Sequence, residues 1–268
     1  MEKLSEKAAQ NLAAVREKKP LIHNIGNYVV MNYISNALLA MGASPVMAHA
    51  LDEVEEMVSL AQALVLNLGT LNTDWMASIL MAGEKASELG MPIVLDPVGS
   101  GATSLRTNTA QKILEEINIS VIRGNASEIL SLRYKDSKTK GVDSIHSVEE
   151  AAQSAQVLAG DLDTIIAITG PSDFITDGEQ IIRVSNGHPL MGRVAGTGCA
   201  ASVAIGAFLA VDDNPISATV TGLAYLGLAG EIAGKNASAP GSFMIKMIDA
   251  LYTITPQTLK DGCKILED

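Results

Sequence analysis

The chain has 268 residues, 47% of them apolar and 18% charged, which excludes a disordered protein; with 3% aromatics, Ala, Leu, Ile, Val and Met must fill the core. The formal net charge of -11 makes the chain a poor partner for nucleic acid, and acids interrupt its densest basic stretch, Arg133, Lys135, Lys138 and Lys140. Its two cysteines, Cys199 and Cys263, lie far apart and form no CxxC pair, so neither a disulfide scaffold nor a zinc site is expected.

The first residues, Met1-Glu-Lys-Leu-Ser-Glu-Lys, hold no apolar signal core, and a cytoplasmic protein is expected. No linker-like stretch interrupts the chain, so one domain over 1–268 is expected.

Short, nearly continuous apolar runs recur at Leu21–Ile25, Ser44–Met47, Ala63–Leu68, Pro92–Asp96, Ile119–Ile122 and Thr164–Thr169. Runs of this kind predict strands covered on both faces. Amphipathic helical segments separate them. Asp52 with Glu55, and Ser147 with Glu150, have capping-box spacing, Thr73 or Asp74 suits the start of the helix carrying Trp75, and Gly42 and Gly90 suit helix ends. The alternation predicts a three-layer α/β/α arrangement around a mostly parallel sheet.

Towards the end the pattern changes. Asp177-Gly178, between Phe174 and Val184, predicts a hairpin with a two-residue turn, hence antiparallel edge strands. Helices over Gly198–Val211, Pro215–Lys235 and Ala239–Leu251 follow. The uncharged stretch Val194–Val211 has the length of a membrane span, but glycines break its start and Asp212-Asp213 close it. A buried core pair of helices is expected instead, with no membrane partner.

Ligands of open α/β sheets bind beyond the carboxyl ends of the strands. Several residues there invite chemistry, and each has a bland reading beside it. Gly196-Thr197-Gly198-Cys199 enters a small-residue helix, where free amides form an anion hole or the glycines merely allow close packing. It matches neither GxxxxGK[ST] nor a dinucleotide fingerprint.

Asn125 and Glu128 either cap a helix or order a magnesium site through water. Asp96, before Pro97-Val98-Gly99-Ser100-Gly101, either contacts a metal or satisfies loop amides. Arg123 either meets a transferring phosphate or forms a salt bridge, with Glu128 as the nearest candidate. Thr169 either bonds a phosphate oxygen or caps its turn. Together these residues form a set suited to phosphoryl transfer, which needs positioning and charge neutralisation more than covalent chemistry. His23, His49, His146 and His188 lack metal-ligand spacing and are read as structural.

This set resembles the ribokinase-like kinases, with their Asn-x-x-Glu magnesium motif and late Gly-x-Gly anion hole. Nearly the whole chain is similar to the hydroxyethylthiazole kinases. The stretches that carry the likeness are Pro20-Leu-Ile-His-Asn-Ile-Gly-Asn27, Gly42-Ala-Ser-Pro-Val-Met47, Ala63-Leu-Val-Leu-Asn-Leu-Gly69, Leu95-Asp96-Pro-Val-Gly-Ser-Gly-Ala, Ile122-Arg123-Gly-Asn-Ala-Ser-Glu128 and Val194-Ala-Gly-Thr-Gly-Cys199.

The resemblance implies the ribokinase-like fold and transfer of the ATP γ-phosphoryl group to the hydroxyl of 4-methyl-5-(2-hydroxyethyl)thiazole. It also implies magnesium and a homotrimer with sites between subunits. By it, Arg123, Thr169 and Asn125 serve ATP, Asp96 and Glu128 the metal, and Asn27, Met47, Gly69 and Gly196 the thiazole. Thr197, Gly198 and Cys199 form the catalytic segment, with Cys199 assisting only modestly. Gly26 and Tyr28 depart from the family pattern Asn-Ile-Thr-Asn-Asn-Val and bear on the thiazole pocket. The competing readings are a hydroxymethylpyrimidine kinase, a hydro-lyase on the same fold, or a non-catalytic binding protein.

Overall fold

The computed structural model describes residues 3–133 and 148–267. Helix α1 (Leu4–Lys18) leads into β1 (Leu21–Ile25), α2 (Met31–Met41), β2 (Ser44–Val46), α3 (Val54–Leu60), β3 (Ala63–Asn67) and α4 (Thr73–Glu88). The alternation continues through β4 (Ile93–Asp96), α5 (Ser104–Glu116), β5 (Val121–Gly124), α6 (Ala126–Arg133), α7 (Val148–Leu162) and β6 (Ile165–Ile168). Then come β7 (Asp173–Thr176), β8 (Ile181–Val184), a 3-10 turn at Pro189–Arg193, α8 (Thr197–Leu209) and α9 (Pro215–Asn236). Helices α10 (Pro240–Thr253) and α11 (Pro256–Gly262) precede β9 (Ile265–Glu267).

The described strands form one sheet in the order β2-β1-β3-β4-β5-β6-β7-β8-β9. Neighbours from β2 to β6 pair in parallel, and β7, β8 and β9 add an antiparallel edge. Side chains alternate between the faces of a strand. Ile22, Val65, Val94, Val121 and Ala167 therefore pack with Ala8, Ile34, Phe208 and Phe243 of α1, α2, α8 and α10. Ile25, Leu66, Leu95, Ile122 and Ile168 pack with Val54, Ile79, Ile113, Ile129 and Ala155 of α3 to α7. This is the expected α/β/α arrangement with antiparallel edge strands.

Helix α9 is long and apolar enough to cross a membrane, but most of its apolar window is buried inside the molecule. It packs on α8 backbone to backbone: a Cβ at Gly222 would lie 2.9 Å from the amide nitrogen of Ile205.

Local sequence signals and structure differ at several element ends. Gly42 (φ +104°) and Gly90 (φ +64°) do close helices in the left-handed region. However, α4 is capped by Asn72, whose Oδ1 accepts the Trp75 amide at 2.9 Å, one residue before Thr73. Helix α3 begins at Val54 after Glu53 with no side-chain cap, so Asp52 lies too early to close a box with Glu55. The β7–β8 connection is longer than a two-residue turn because Thr176 pairs with Ile181. Asp177 Oδ1 accepts the amides of Glu179 and Gln180 at 2.9 and 2.7 Å and thereby stabilises the wider loop. Helix α11 has a local start signal, Thr255 accepting the Thr258 amide at 3.0 Å with Pro256 at the first helical position, while the three-residue β9 carries no strong pattern. Ser147, His146, Lys135, Lys138 and Lys140 lie outside the described residues.

Candidate active site

The strand alternation that sends Val65, Val94, Val121 and Ala167 towards α8 sends Asn67, Asp96, Arg123 and Thr169 the same way, two residues later. Register aligns Asn67 with Asp96, and Arg123 with Ala167. The carboxyl edge of the sheet thus presents a polar row to the start of α8.

Asp96 is fully buried. Its Oδ2 accepts Asn67 Nδ2 at 2.9 Å and Ser202 Oγ at 2.7 Å, and lies 3.6 Å from Arg123 Nη1. Its Oδ1 is buried without a partner among the described residues. Burial pushes the Asp96 pKa up, against the Arg123 charge and the Ser202 and Asn67 hydrogen bonds. A buried carboxylate oxygen with no protein donor suits a hard cation or its water.

Glu128 and Asn125 form a true capping box. Glu128 Oε2 accepts the Asn125 amide at 2.8 Å, and Asn125 Oδ1 accepts the Glu128 amide at 2.9 Å. Glu128 Oε1 accepts the Gly99 amide at 2.8 Å, which ties the β4 turn to the end of β5. Burial, with the Asp96 charge adding to it, pushes Glu128 up to about 7. Both of its oxygens already hold amides, which leaves lone pairs suited to a metal-bound water.

The ion-pair partner of Arg123 is Asp96 rather than Glu128, because Glu128 is engaged by the backbone. Arg123 Nη2 donates to Thr169 Oγ1, and Arg123 Nε is buried without a partner among the described residues. A Cβ at Gly198 would stand 3.0 Å from Arg123 Nη1 and Nη2, so the guanidinium lies against the first turn of α8. The Ala200 amide donates to the Gly196 carbonyl at 2.7 Å, while the amides before it start the helix with no side-chain cap. Thr197 Oγ1 donates to the Met191 carbonyl at 2.8 Å and fixes that start. Cation and open helix end favour an anion at the same place. A cavity of about 610 Å³ opens there, lined by Arg123, Asn125, Thr169, Thr197 and Gly198 and by the apolar Met191, Leu223 and Leu226.

Asp173 also lines this cavity and was missed. It is buried, its Oδ1 accepts the Gly170 amide at 2.9 Å, and burial pushes its pKa up to about 7.

Of the other expected residues, Asn27 reaches Cys199 and Gly69 packs on Asn27, whereas Gly196 and Met47 meet α2. Asn27 Nδ2 donates to Cys199 Sγ at 3.7 Å, and Gly69 is pressed on Asn27: a Cβ at Gly69 would lie 2.4 Å from Nδ2. Gly196 (φ +93°) faces Val30 and Tyr33 at the start of α2, and Met47 Sδ accepts Ser35 Oγ of α2 at 3.5 Å. Gly26 (φ +154°) packs on Asn67, whose carbonyl oxygen would be 2.4 Å from an added Cβ. Gly26 therefore answers a backbone contact. Tyr28 lies on Trp75, centroids 4.1 Å apart, and Trp75 on His49 at 4.4 Å, which ties the loops after β1 and β2 to α4. Burial pushes the Cys199 thiol up to about 11, and the Asp96 charge adds to this.

Asn67 and Ser202 were missed although both hold Asp96. A polar residue ending a buried strand was the available signal for Asn67; nothing marked Ser202 within a small-residue helix.

The hydroxyethylthiazole kinase family model matches residues 12–257. A hydroxyethylthiazole kinase of Desulfotalea psychrophila is 59% identical over 267 residues, covering 100% of this chain and 98% of the relative. The structure of a hydroxyethylthiazole kinase from Pyrococcus horikoshii superposes with a TM-score of 0.91 at 44% identity, covering 98% of this chain and 99% of that one. The pyridoxal kinase of Staphylococcus aureus in complex with ADP shares the ribokinase-like fold at 18% identity and a TM-score of 0.59, over 80% of this chain and 88% of its own. By extent of match and by identity, the chain belongs to the hydroxyethylthiazole kinase family.

Proposed function

We propose that the protein transfers the γ-phosphoryl group of ATP to the side-chain hydroxyl of 4-methyl-5-(2-hydroxyethyl)thiazole. The observation that carries this reading is the position of Arg123. It lies between Thr169 and Asp96, against Gly198 at the uncapped start of α8, on the wall of the cavity. Triphosphate in the cavity would bring its terminal phosphate to Arg123 and the α8 amides. The thiazole would lie beside Asn27, Met47, Gly69 and Gly196, with its hydroxyl near Cys199. The acceptor oxygen bonds to the γ-phosphorus as the bond to the β-phosphate oxygen breaks, and ADP leaves.

Asp96 and Glu128 are the residues to hold magnesium, Asp96 through its unpartnered Oδ1 and Glu128 through water. The ion would neutralise phosphate charge. The remainder of the stabilisation comes from Arg123 and the α8 amides, which face charge as it spreads over the transferring group. Cys199 is a thiol at neutral pH and is not needed as a strong base if the hydroxyl proton leaves late.

We further read the chain as one catalytic domain in a cytoplasmic homotrimer. The single sheet across the described residues supports the first point. Exposed Tyr28 (60%) and Val29 (75%), next to Asn27, support a neighbouring subunit over the acceptor loop.

The test is ADP release with Mg-ATP, with and without hydroxyethylthiazole, and with hydroxymethylpyrimidine as comparison. Thiazole-dependent release with phosphorylated thiazole as product is expected. Stimulation by the pyrimidine alone would move the acceptor assignment, and no turnover with either would remove the kinase reading.

A further inference from the structure

Arg106 stands on α5, outside the set of residues expected to meet substrate, yet its guanidinium reaches back to the sheet edge. Nη1 donates to the carbonyls of Leu68 at 2.6 Å and Val98 at 2.5 Å, and Nη2 donates to the Gly69 carbonyl at 2.6 Å. Leu68 and Gly69 begin the loop after β3. Val98 belongs to the loop after β4. A planar cationic fork with three short bonds fixes one loop against the other, which a flexible ammonium cannot reproduce.

Each loop leads to a different half of the site. Gly69 presses on Asn27, which donates to Cys199, and its amide donates to Asn67 Oδ1 at 2.9 Å. The Val98 amide donates to the Asp96 carbonyl at 2.8 Å, and the next amide, of Gly99, holds Glu128. Gly99 (φ +74°) also lies on the Arg106 stem, where a Cβ would be 2.9 Å from Cδ. The acceptor side and the proposed magnesium side therefore meet at one guanidinium.

We propose that Arg106 is a positioning residue for phosphoryl transfer, holding the acceptor loop and the magnesium loop in register through the carbonyls of Leu68, Gly69 and Val98. This rests on the kinase reading above. In-line transfer depends on where the attacking oxygen stands relative to the phosphate, and a misplacement of about 1 Å costs about 100-fold in rate.

Arg106→Ala is expected to lower kcat by about 100-fold. It raises the thiazole KM and the magnesium requirement, while ATP affinity measured without thiazole and the melting temperature stay near those of the parent. Arg106→Lys keeps the charge and still loses the rate. Added guanidinium ion recovers part of the Arg106→Ala turnover. Amide hydrogen exchange of the ligand-free protein supplies a reading independent of turnover: the amides of Gly69 and Gly99 exchange faster in both variants, and those of the central strands do not.

Wild-type kcat in Arg106→Lys overturns the proposal, as does loss of ATP affinity and melting temperature in step with rate. Unchanged exchange at Gly69 and Gly99 overturns it too. If the unaltered protein shows no thiazole-dependent turnover, the kinase reading falls alone, and exchange at those two amides still decides whether Arg106 couples the loops.

Discussion

At the residue scale, the environment of Cys199 limits what it does. Its thiol is pushed up to about 11 by burial and by Asp96, and Asn27 donates to its sulfur. Cys199→Ala is therefore expected to lower kcat by less than about 100-fold, below the range of a general base. Steady-state kinetics on the variant checks this, and a loss of many orders of magnitude would assign Cys199 the proton transfer. Asp173 is a second case. Its folded pKa of about 7 lies above the usual aspartate value because of burial, partly offset by the Gly170 amide and the Arg123 charge. Its stabilising contribution is thus full below about pH 4 and is lost as pH rises through about 7. Asp173→Asn should flatten the stability–pH curve over that window, as read by urea denaturation at several pH values. Identical slopes in variant and parent would show that Asp173 does not titrate there.

At the element scale, the start of α8 is held by the packing of the whole helix against α9. Gly222 and Ile205 meet with no room for a side chain between the backbones. Alanine favours a helix interior over glycine by about 1 kcal/mol. Gly222→Ala should nevertheless destabilise the protein by roughly 1–3 kcal/mol, because the methyl group forces the helices apart. Chemical denaturation measures the sign, and a stabilised variant would mean that the pair can open at little cost. The α8–α9 turn is also pinned to α1. Burial raises the Asp212 carboxyl, but hydrogen bonds from Ser217, Asn11 and the Asn214 amide, with Lys7, outweigh it and hold the group below its usual range.

At the scale of the whole molecule, the apolar pair Tyr28 and Val29 projects from the loop that carries Asn27. If a neighbouring subunit covers that loop, Val29→Asp buries a charge in the contact and should separate the assembly. Sedimentation equilibrium is expected to give three chains for the parent and one for the variant, with turnover falling alongside. A monomeric variant with full activity would make the site complete within one chain.

Much of the fold was legible because its signals are local. The apolar runs at Leu21–Ile25 and Ala63–Leu68, the glycine helix ends and the small-residue entry to α8 each follow from a few adjacent residues. The end of each central strand could be read in the same way, and it pointed to Asp96, Arg123 and Thr169, which the fold brings together at one sheet edge. The boundaries were less legible: the α4 cap moved to Asn72, and the β7–β8 loop widened because Asp177 serves two amides. Sequence alone determined the alternation of buried strands and amphipathic helices, and with it the sheet edge at which a ligand site is expected. Tertiary structure alone decided the pairings across that edge. Ser202 reaches Asp96 from 106 positions away and Arg106 reaches Leu68 from 38, distances at which no periodicity survives. Such contacts arise from strand order and helix packing, which fix the direction of each side chain only once the whole sheet is assembled.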